Sequence, residues 1–390
     1  MSWPGHPDRL GLIAPTLLLF AAQAELSRAQ QPRFVYPVPP ADSYTVRTGI
    51  TYRASSGTLP FDLFVPRKPT NGERLPVLVI FNGYGGSIMR TSEQSRAWAK
   101  AATAQGLAAI AVETTPGHAA EDFDSLTTYL DTHAADLAVD PGQIAVIAWS
   151  GNAATAVETV ESPRRQSVKA AVMYYGSGPV EHVRLDLPVL FVRAGLDQPE
   201  WNRAMDSVIA AGLTANAPWS VVNYPAGHHG FDVFDDNVSS REMIEATFRF
   251  LHLVLSPSYE AGLRAGLPVA TAASAVGTGD YARAVMLYQR LAEADPHNAQ
   301  LLLAYGKALL GAKRYHEARN QFDRVKALGT AGPRDLGVPA ARASMLDNDP
   351  DAAIAWLRSI PAANRPADLE GDPDFASLRG RADFEALFQH

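Results

Sequence analysis

The feature that most constrains this chain is a set of short runs that are apolar at every position, such as Val77-Leu78-Val79-Ile80-Phe81 and Ile144-Ala145-Val146-Ile147-Ala148-Trp149. Side chains alternate between the two faces of a strand, so a run without polar interruption must be covered on both sides. Between Thr45 and about Pro257 such runs alternate with longer stretches of helical pattern, at Ser92 to Ala104, Asp122 to Asp136, Ala153 to Val160, Trp201 to Ala211 and Arg241 to Leu255. The strand candidates are Thr45 to Arg53, Phe61 to Val65, Val77 to Phe81, Ala108 to Glu113, Gln143 to Trp149, Lys169 to Tyr175, Pro188 to Val192 and Trp219 to Tyr224. This alternation predicts an α/β domain with an eight-stranded, mostly parallel sheet and helices on both faces.

At 390 residues the chain exceeds one comfortable core, and its composition changes beyond Ser256-Pro257-Ser258 to Ala, Leu and Arg with few β-branched runs. A period enters there. Ala284, Ala318 and Ala352 lie 34 residues apart, as do Tyr288, Phe322 and Trp356, and Tyr281 and Tyr315 keep the same interval. A small residue lets two helices approach, and the aromatic four positions later fills the groove beside it. This segment resembles the tetratricopeptide repeat family, with about three helix pairs between Gly266 and Pro366 and a capping helix over Asp372 to Phe388. Pro296 closes the first unit as that family's pattern does, and Thr330 stands in the proline's place in the second. An irregular helical bundle is the plainer alternative.

The first residues have the three parts of an export signal: a polar stretch with Arg9, an apolar run from Leu10 to Ala22, and Ala22-Gln23-Ala24 as a small-residue cleavage site. The run is too short to span a bilayer, which takes about 20 apolar residues. Pro15 interrupts it, and cleavage after Ala29 is a second option; a retained anchor or a buried helix are the competing readings. The expected division is 1–24 signal peptide, 25–43 leader, 44–257 the α/β domain and 258–390 the helical repeats, with a periplasmic or secreted product. The chain has no cysteine, so neither a disulfide nor a lipid-bearing cysteine is available to it. A net charge of −7 argues against a phosphate-backbone partner such as nucleic acid.

Chemistry concentrates at Ser150. It follows the buried run that ends at Trp149 and precedes a stretch rich in small residues, Gly151-Asn152-Ala153-Ala154. A serine on such a strand-to-helix turn is lifted out of the backbone, with the first free amides of the new helix pointing at the space above it. The usual elbow, Gly-x-Ser-x-Gly, is altered here at both outer positions, Ala148 and Asn152, so taken alone Ser150 reads more readily as a helix N-cap than as a nucleophile. Asp197 follows the seventh strand candidate and His229 the eighth. The chain order Ser, Asp, His, each at the carboxyl end of a strand, is that of the α/β hydrolases. A turn residue is the plain reading of Asp197. A metal site around His228, His229, Asp232, Asp235 and Asp236 matches no known ligand spacing, and no cofactor is called for.

Residues from about Tyr44 to Leu255 resemble the dienelactone hydrolase group of α/β hydrolases, through Phe81-Asn82-Gly83-Tyr84-Gly85-Gly86, Val139-Asp140-Pro141, Gly195-Leu196-Asp197 and His229-Gly230-Phe231. That group places its histidine directly before Gly-Phe, which selects His229 over His228. The resemblance also implies that the amides of Tyr84 and Gly151 form an oxyanion hole. The group's name comes from enzymes with a cysteine nucleophile, which this chain lacks; its serine-using relatives are carboxylic-ester hydrolases. The resemblance therefore implies hydrolysis of a small ester by Ser150, Asp197 and His229, with Trp149, His118 and Trp201 as candidates to line the pocket or simply to pack. The repeats would serve equally to bind a protein partner or to add stability or dimerise; an inactive scaffold whose repeats bind a protein, and a peptidase or acyltransferase using the same residues, are the alternatives.

Overall fold

A computed structural model describes residues 33–67, 74–366 and 368–388. The expected signal and the first part of the leader, residues 25–32, lie outside the described residues. The chain divides into two compact units, one comprising 1–181, 189–206 and 220–255 and the other 182–188, 207–219 and 256–390.

The first unit is built on the expected eight strands: β1 Tyr44–Ala54, β2 Gly57–Pro66, β3 Leu75–Ile80, β4 Ala108–Val112, β5 Val139–Trp149, β6 Val168–Tyr174, β7 Val189–Ala194 and β8 Trp219–Tyr224. They form one sheet in the order β1-β2-β4-β3-β5-β6-β7-β8. β1 and β2 make an antiparallel hairpin, and β2 runs antiparallel to β4; β4, β3, β5, β6 and β7 pair in parallel. Val77 to Ile80 and Ile144 to Ala148 are fully buried, as strands covered on both faces must be. After β4 the chain crosses over β3 to begin β5 on its far side. The carboxyl ends of β3 and β5 flank the crevice opened by this reversal of winding, the place where open α/β sheets carry their chemistry.

β5 begins earlier than its apolar run, at Val139, because Leu75 pairs with Val139 before a register shift brings Val77 opposite Ile144. The expected helix over Asp122 to Asp136 is two, Ala119–Thr132 and Ala134–Leu137, with His133 at the break.

In the second unit six helices form three successive pairs: Pro257–Gly277 with Tyr281–Ala294, Ala299–Gly311 with Tyr315–Leu328, and Pro333–Leu346 with Pro350–Arg358. The columns seen in sequence form the core, with Ala284, Ala318, Tyr288, Phe322 and Trp356 all buried. In the helix Pro350–Arg358 the fully buried alanine is Ala353, not Ala352. The expected capping helix over Asp372 to Phe388 is not one helix. It is a 3₁₀ segment, Pro373–Leu378, and a single turn, Ala382–Glu385. Gly380 between them takes a left-handed φ of 87°, which breaks the helical path, while Phe375, Leu378 and Phe384 still bury their side chains. No helix among the described residues is long and apolar enough to cross a membrane.

Candidate active site

Ser150 sits where β5 turns into the helix Gly151–Glu161, with φ 55° and ψ −140°, a region that side chains rarely enter and that costs about 1–3 kcal/mol. The sheet and the next loop hold it there. Its amide donates to the carbonyl of Tyr174 at 3.0 Å, and its own carbonyl lies 2.2 Å from where a β-carbon on Gly176 would be, so only glycine fits at that point of the neighbouring loop. Although Ser150 occupies the N-cap position, its side chain makes no capping bond. The hydroxyl turns instead to the Nε2 of His229, at 2.9 Å.

Asp197 and His229 are brought together by stitching between the loops after β7 and β8. Gly195 donates its amide to the Tyr224 carbonyl at 2.8 Å and Leu196 donates to Gly227 at 2.9 Å. Gly195 presses so closely on Pro225 that a β-carbon there would meet the Pro225 carbonyl oxygen at 2.4 Å. The Oδ2 of Asp197 then reaches the Nδ1 of His229 at 2.7 Å, and its Oδ1 accepts the amide of Gln198 at 2.7 Å. Asp197 is 8% exposed.

The imidazole of His229 packs against two aromatic rings, Tyr175 and Trp201, each with its centroid 4.7 Å away. Behind it, Phe231 is fully buried and stacks on Tyr174 at 5.4 Å. The adjacent His228 points elsewhere, its exposed ring 3.2 Å from Asp235. Asp232 turns fully inward, where it accepts hydrogen bonds from Tyr175, Gln94 and Trp98 at 2.6, 2.8 and 2.9 Å. The two histidines thus go to different carboxylates, His229 to Asp197 and His228 to Asp235, while Asp232 serves Tyr175, Gln94 and Trp98.

The loop after β3 lies against the same helix start. Gly83 donates its amide to the Oδ1 of Asn152 at 2.8 Å, Gly85 to the Oδ1 of Asn82 at 3.0 Å, and Gly86 to the Thr114 carbonyl at 2.8 Å. Asn82 is itself fixed, donating to Gly86 at 2.8 Å and Val112 at 3.3 Å. Of these four successive amides, Tyr84's is the one without a partner among the described residues. The amide of Gly151, first in its helix, is likewise uncommitted, and the dipole of that helix favours negative charge in front of it.

Of the three candidate lining residues, Trp201 reaches the site through His229. Trp149 is packed in the core at 5% exposure, and His118 stands at the exposed start of the helix Ala119–Thr132, 4.0 Å from Glu121. Sequence reasoning missed Tyr175, Asn82 and the contact of Asn152; the only trace of the last was a side chain where the elbow pattern has glycine.

A hydroxyl bonded to an imidazole, which is bonded in turn to a buried carboxylate, beside two free amides, is the equipment of nucleophilic acyl transfer. Residues 97–251 match the model of the dienelactone hydrolase family. This segment is a dienelactone hydrolase family domain. Residues 275–334 match a tetratricopeptide repeat model, so the hydrolase-family domain is followed by tetratricopeptide repeats. A curated relative, an uncharacterized lipoprotein of Treponema pallidum (strain Nichols), is 37% identical over 75 residues, which are 19% of this chain and 38% of that protein. The chain thus spans well under half the length of the curated relative it matches. Among solved structures, EstE1, a thermophilic carboxylesterase cloned from a metagenomic library, aligns over 64% of this chain and 100% of its own at 17% identity, with a TM-score of 0.46. The Pyrobaculum calidifontis esterase aligns over 61% and 90% at 19% identity, with a TM-score of 0.45.

Proposed function

We propose that this protein is an exported carboxylic-ester hydrolase that works through an acyl-enzyme on Ser150. The observation that carries this reading is the unbroken chain Ser150 Oγ to His229 Nε2 to Asp197 Oδ2, at 2.9 and 2.7 Å. His229 takes the Ser150 proton as Oγ bonds to the acyl carbon, and Asp197 holds the imidazole in the tautomer that leaves Nε2 free to accept. The tetrahedral oxyanion is received by the amides of Tyr84 and Gly151, each such donor contributing about 2.7–4 kcal/mol to transition-state stabilisation. The imidazolium returns its proton to the departing alkoxide; a water activated by the same base then attacks the acyl carbon and frees Ser150.

Serine needs a base to become nucleophilic near neutral pH, and the chain has no cysteine, so general ester cleavage is favoured over the reaction for which the family is named. The altered elbow had suggested an inactive scaffold. The bond from Gly83 to Asn152, which gives that side chain a place beside the nucleophile's helix, supports the active reading over the scaffold. The export reading rests on the leader sequence and on a curated relative being described as a lipoprotein. The repeats are assigned to binding a protein partner, on the strength of their family.

The test is turnover of a small chromogenic ester together with labelling by a fluorophosphonate probe. The expected result is ester hydrolysis and a single adduct on Ser150. Folded protein that neither hydrolyses esters nor is labelled there defeats the proposal.

A further inference from the structure

We propose that Asn152 is a positioning residue for the oxyanion hole: the side chain that departs from the elbow pattern holds the loop after β3 in the one conformation that leaves the Tyr84 amide free. The inference rests on the ester-hydrolase reading of the Ser150 site.

Asn152 is the second residue of the helix that Ser150 starts, and it is 5% exposed. Its Nδ2 donates to the Sδ of Met89 at 3.6 Å, which sets the amide's orientation and turns Oδ1 toward Gly83. The Gly83 amide then donates to that oxygen at 2.8 Å. The two segments are pressed together: a β-carbon on Gly83 would meet the Asn152 backbone and the Thr155 side chain at 3.2 Å. With Gly85 held by Asn82 and Gly86 by Thr114, the loop is fixed at three of four amides. A glycine at position 152 leaves the Gly83 amide without its acceptor. Two adjacent donors, Gly83 and Tyr84, then compete for the same space, and the loop loses its tie to the helix that carries the nucleophile. Preorganised donors stabilise the transition state because they need no rearrangement as charge develops, so looseness here acts on kcat more than on substrate binding.

The experiment compares wild type with N152G and N152A in the full chain, reading melting temperature, kcat, KM, inhibition by a trifluoromethyl ketone and hydrogen exchange at the Gly83 amide. Such a ketone forms a tetrahedral oxyanion adduct on an activated serine and so reports on the hole itself. The expected result is folded variants with kcat lowered about 10- to 100-fold, KM within about twofold, ketone inhibition weakened by a similar factor, and faster exchange at Gly83. The inference is overturned if N152G keeps kcat within about twofold of wild type, or if the loss falls on KM with ketone inhibition unchanged. It is equally overturned if neither variant folds, since Asn152 would then be a packing residue. A wild-type protein that is silent toward esters and the fluorophosphonate defeats the ester-hydrolase reading instead, which separates the two failures.

Discussion

The hydroxyl oxygen of Tyr84 lies 1.4 Å from the point that a β-carbon on Gly151 would occupy. Any side chain at 151 must therefore displace the Tyr84 ring. Since that ring is half exposed, it can move at modest cost to the fold. G151A is expected to keep a melting temperature within a few degrees of wild type but to lose at least about tenfold in kcat/KM, because the loop that carries the Tyr84 amide moves with its ring. Adding Y84A removes the collision and is expected to return part of that loss. Equal activity in the single and double variants contradicts this coupling.

Replacing the hydrogen-bonded residues separates them from their neighbours. S150A is expected to abolish fluorophosphonate labelling, and D197N to lower kcat by on the order of 10⁴-fold, since the wrong tautomer of His229 is then held in place. H228A, in which the exposed ring beside Asp235 is lost, is expected to stay within about twofold of wild type, as for a surface change remote from the reacting atoms. Steady-state kinetics of the three variants check this.

Trp201 and Tyr175 both pack against the His229 ring. Removing one of them with W201A leaves both hydrogen bonds possible but the ring less constrained. A misplacement of about 1 Å at a reacting group costs on the order of 100-fold, so W201A is expected to lower kcat by between 10- and 100-fold with its melting temperature little changed. An unaltered kcat shows that the two hydrogen bonds alone orient the imidazole.

Asp232 supplies a pH dependence. Burial raises its carboxyl pKa above the ordinary 3.8, and the hydrogen bonds from Tyr175, Gln94 and Trp98 offset this only in part. A carboxyl raised in the folded state binds a proton more readily there than in the unfolded chain. Its contribution to stability is therefore fully present below its unfolded pKa and is lost as pH rises through the folded value. The difference in melting temperature between wild type and D232N is expected to shift in favour of D232N as pH rises from 3.8 toward neutrality. A difference independent of pH over that window shows that Asp232 ionises in the fold as freely as in water.

In the repeats, Phe322 is fully buried against Gly306, where a β-carbon would meet its ring at 2.5 Å. F322A is expected to lower the stability of this unit by about 3–5 kcal/mol, read by denaturant unfolding. G306A, which overpacks the same contact, is expected to cost about 1–3 kcal/mol. A neutral result for both shows that the contact is loosely packed.

The eight strands could be read from the chain because an unbroken apolar run has few other uses in a protein of this size, and the order Ser, Asp, His carried the geometry once the strands were counted. What could not be read depends on contacts remote in sequence. Asn152 meets Gly83 69 residues away. Similarly, the rings that hold His229 come from the loop after β6 and the helix Pro199–Thr214. Placement at a strand's end did not say which way Trp149 or His118 would turn, since neighbouring residues of one turn can face the core or the solvent. The tail after Asp372 kept the apolar spacing of a helix while Gly380 denied it the backbone path.

The columns at Ala284 and Ala318, and at Tyr288 and Phe322, make the length of the second unit quantised. Excising residues 281–314 would bring Tyr315, Ala318 and Phe322 into the positions left by Tyr281, Ala284 and Tyr288, with every later residue still in phase. A cut a few residues longer or shorter would rotate all that follows away from the core. Natural variation in this region is therefore expected to come in whole helix pairs, while the sheet of the first unit, whose strands are interleaved in the order β4, β3, β5, admits no comparable step.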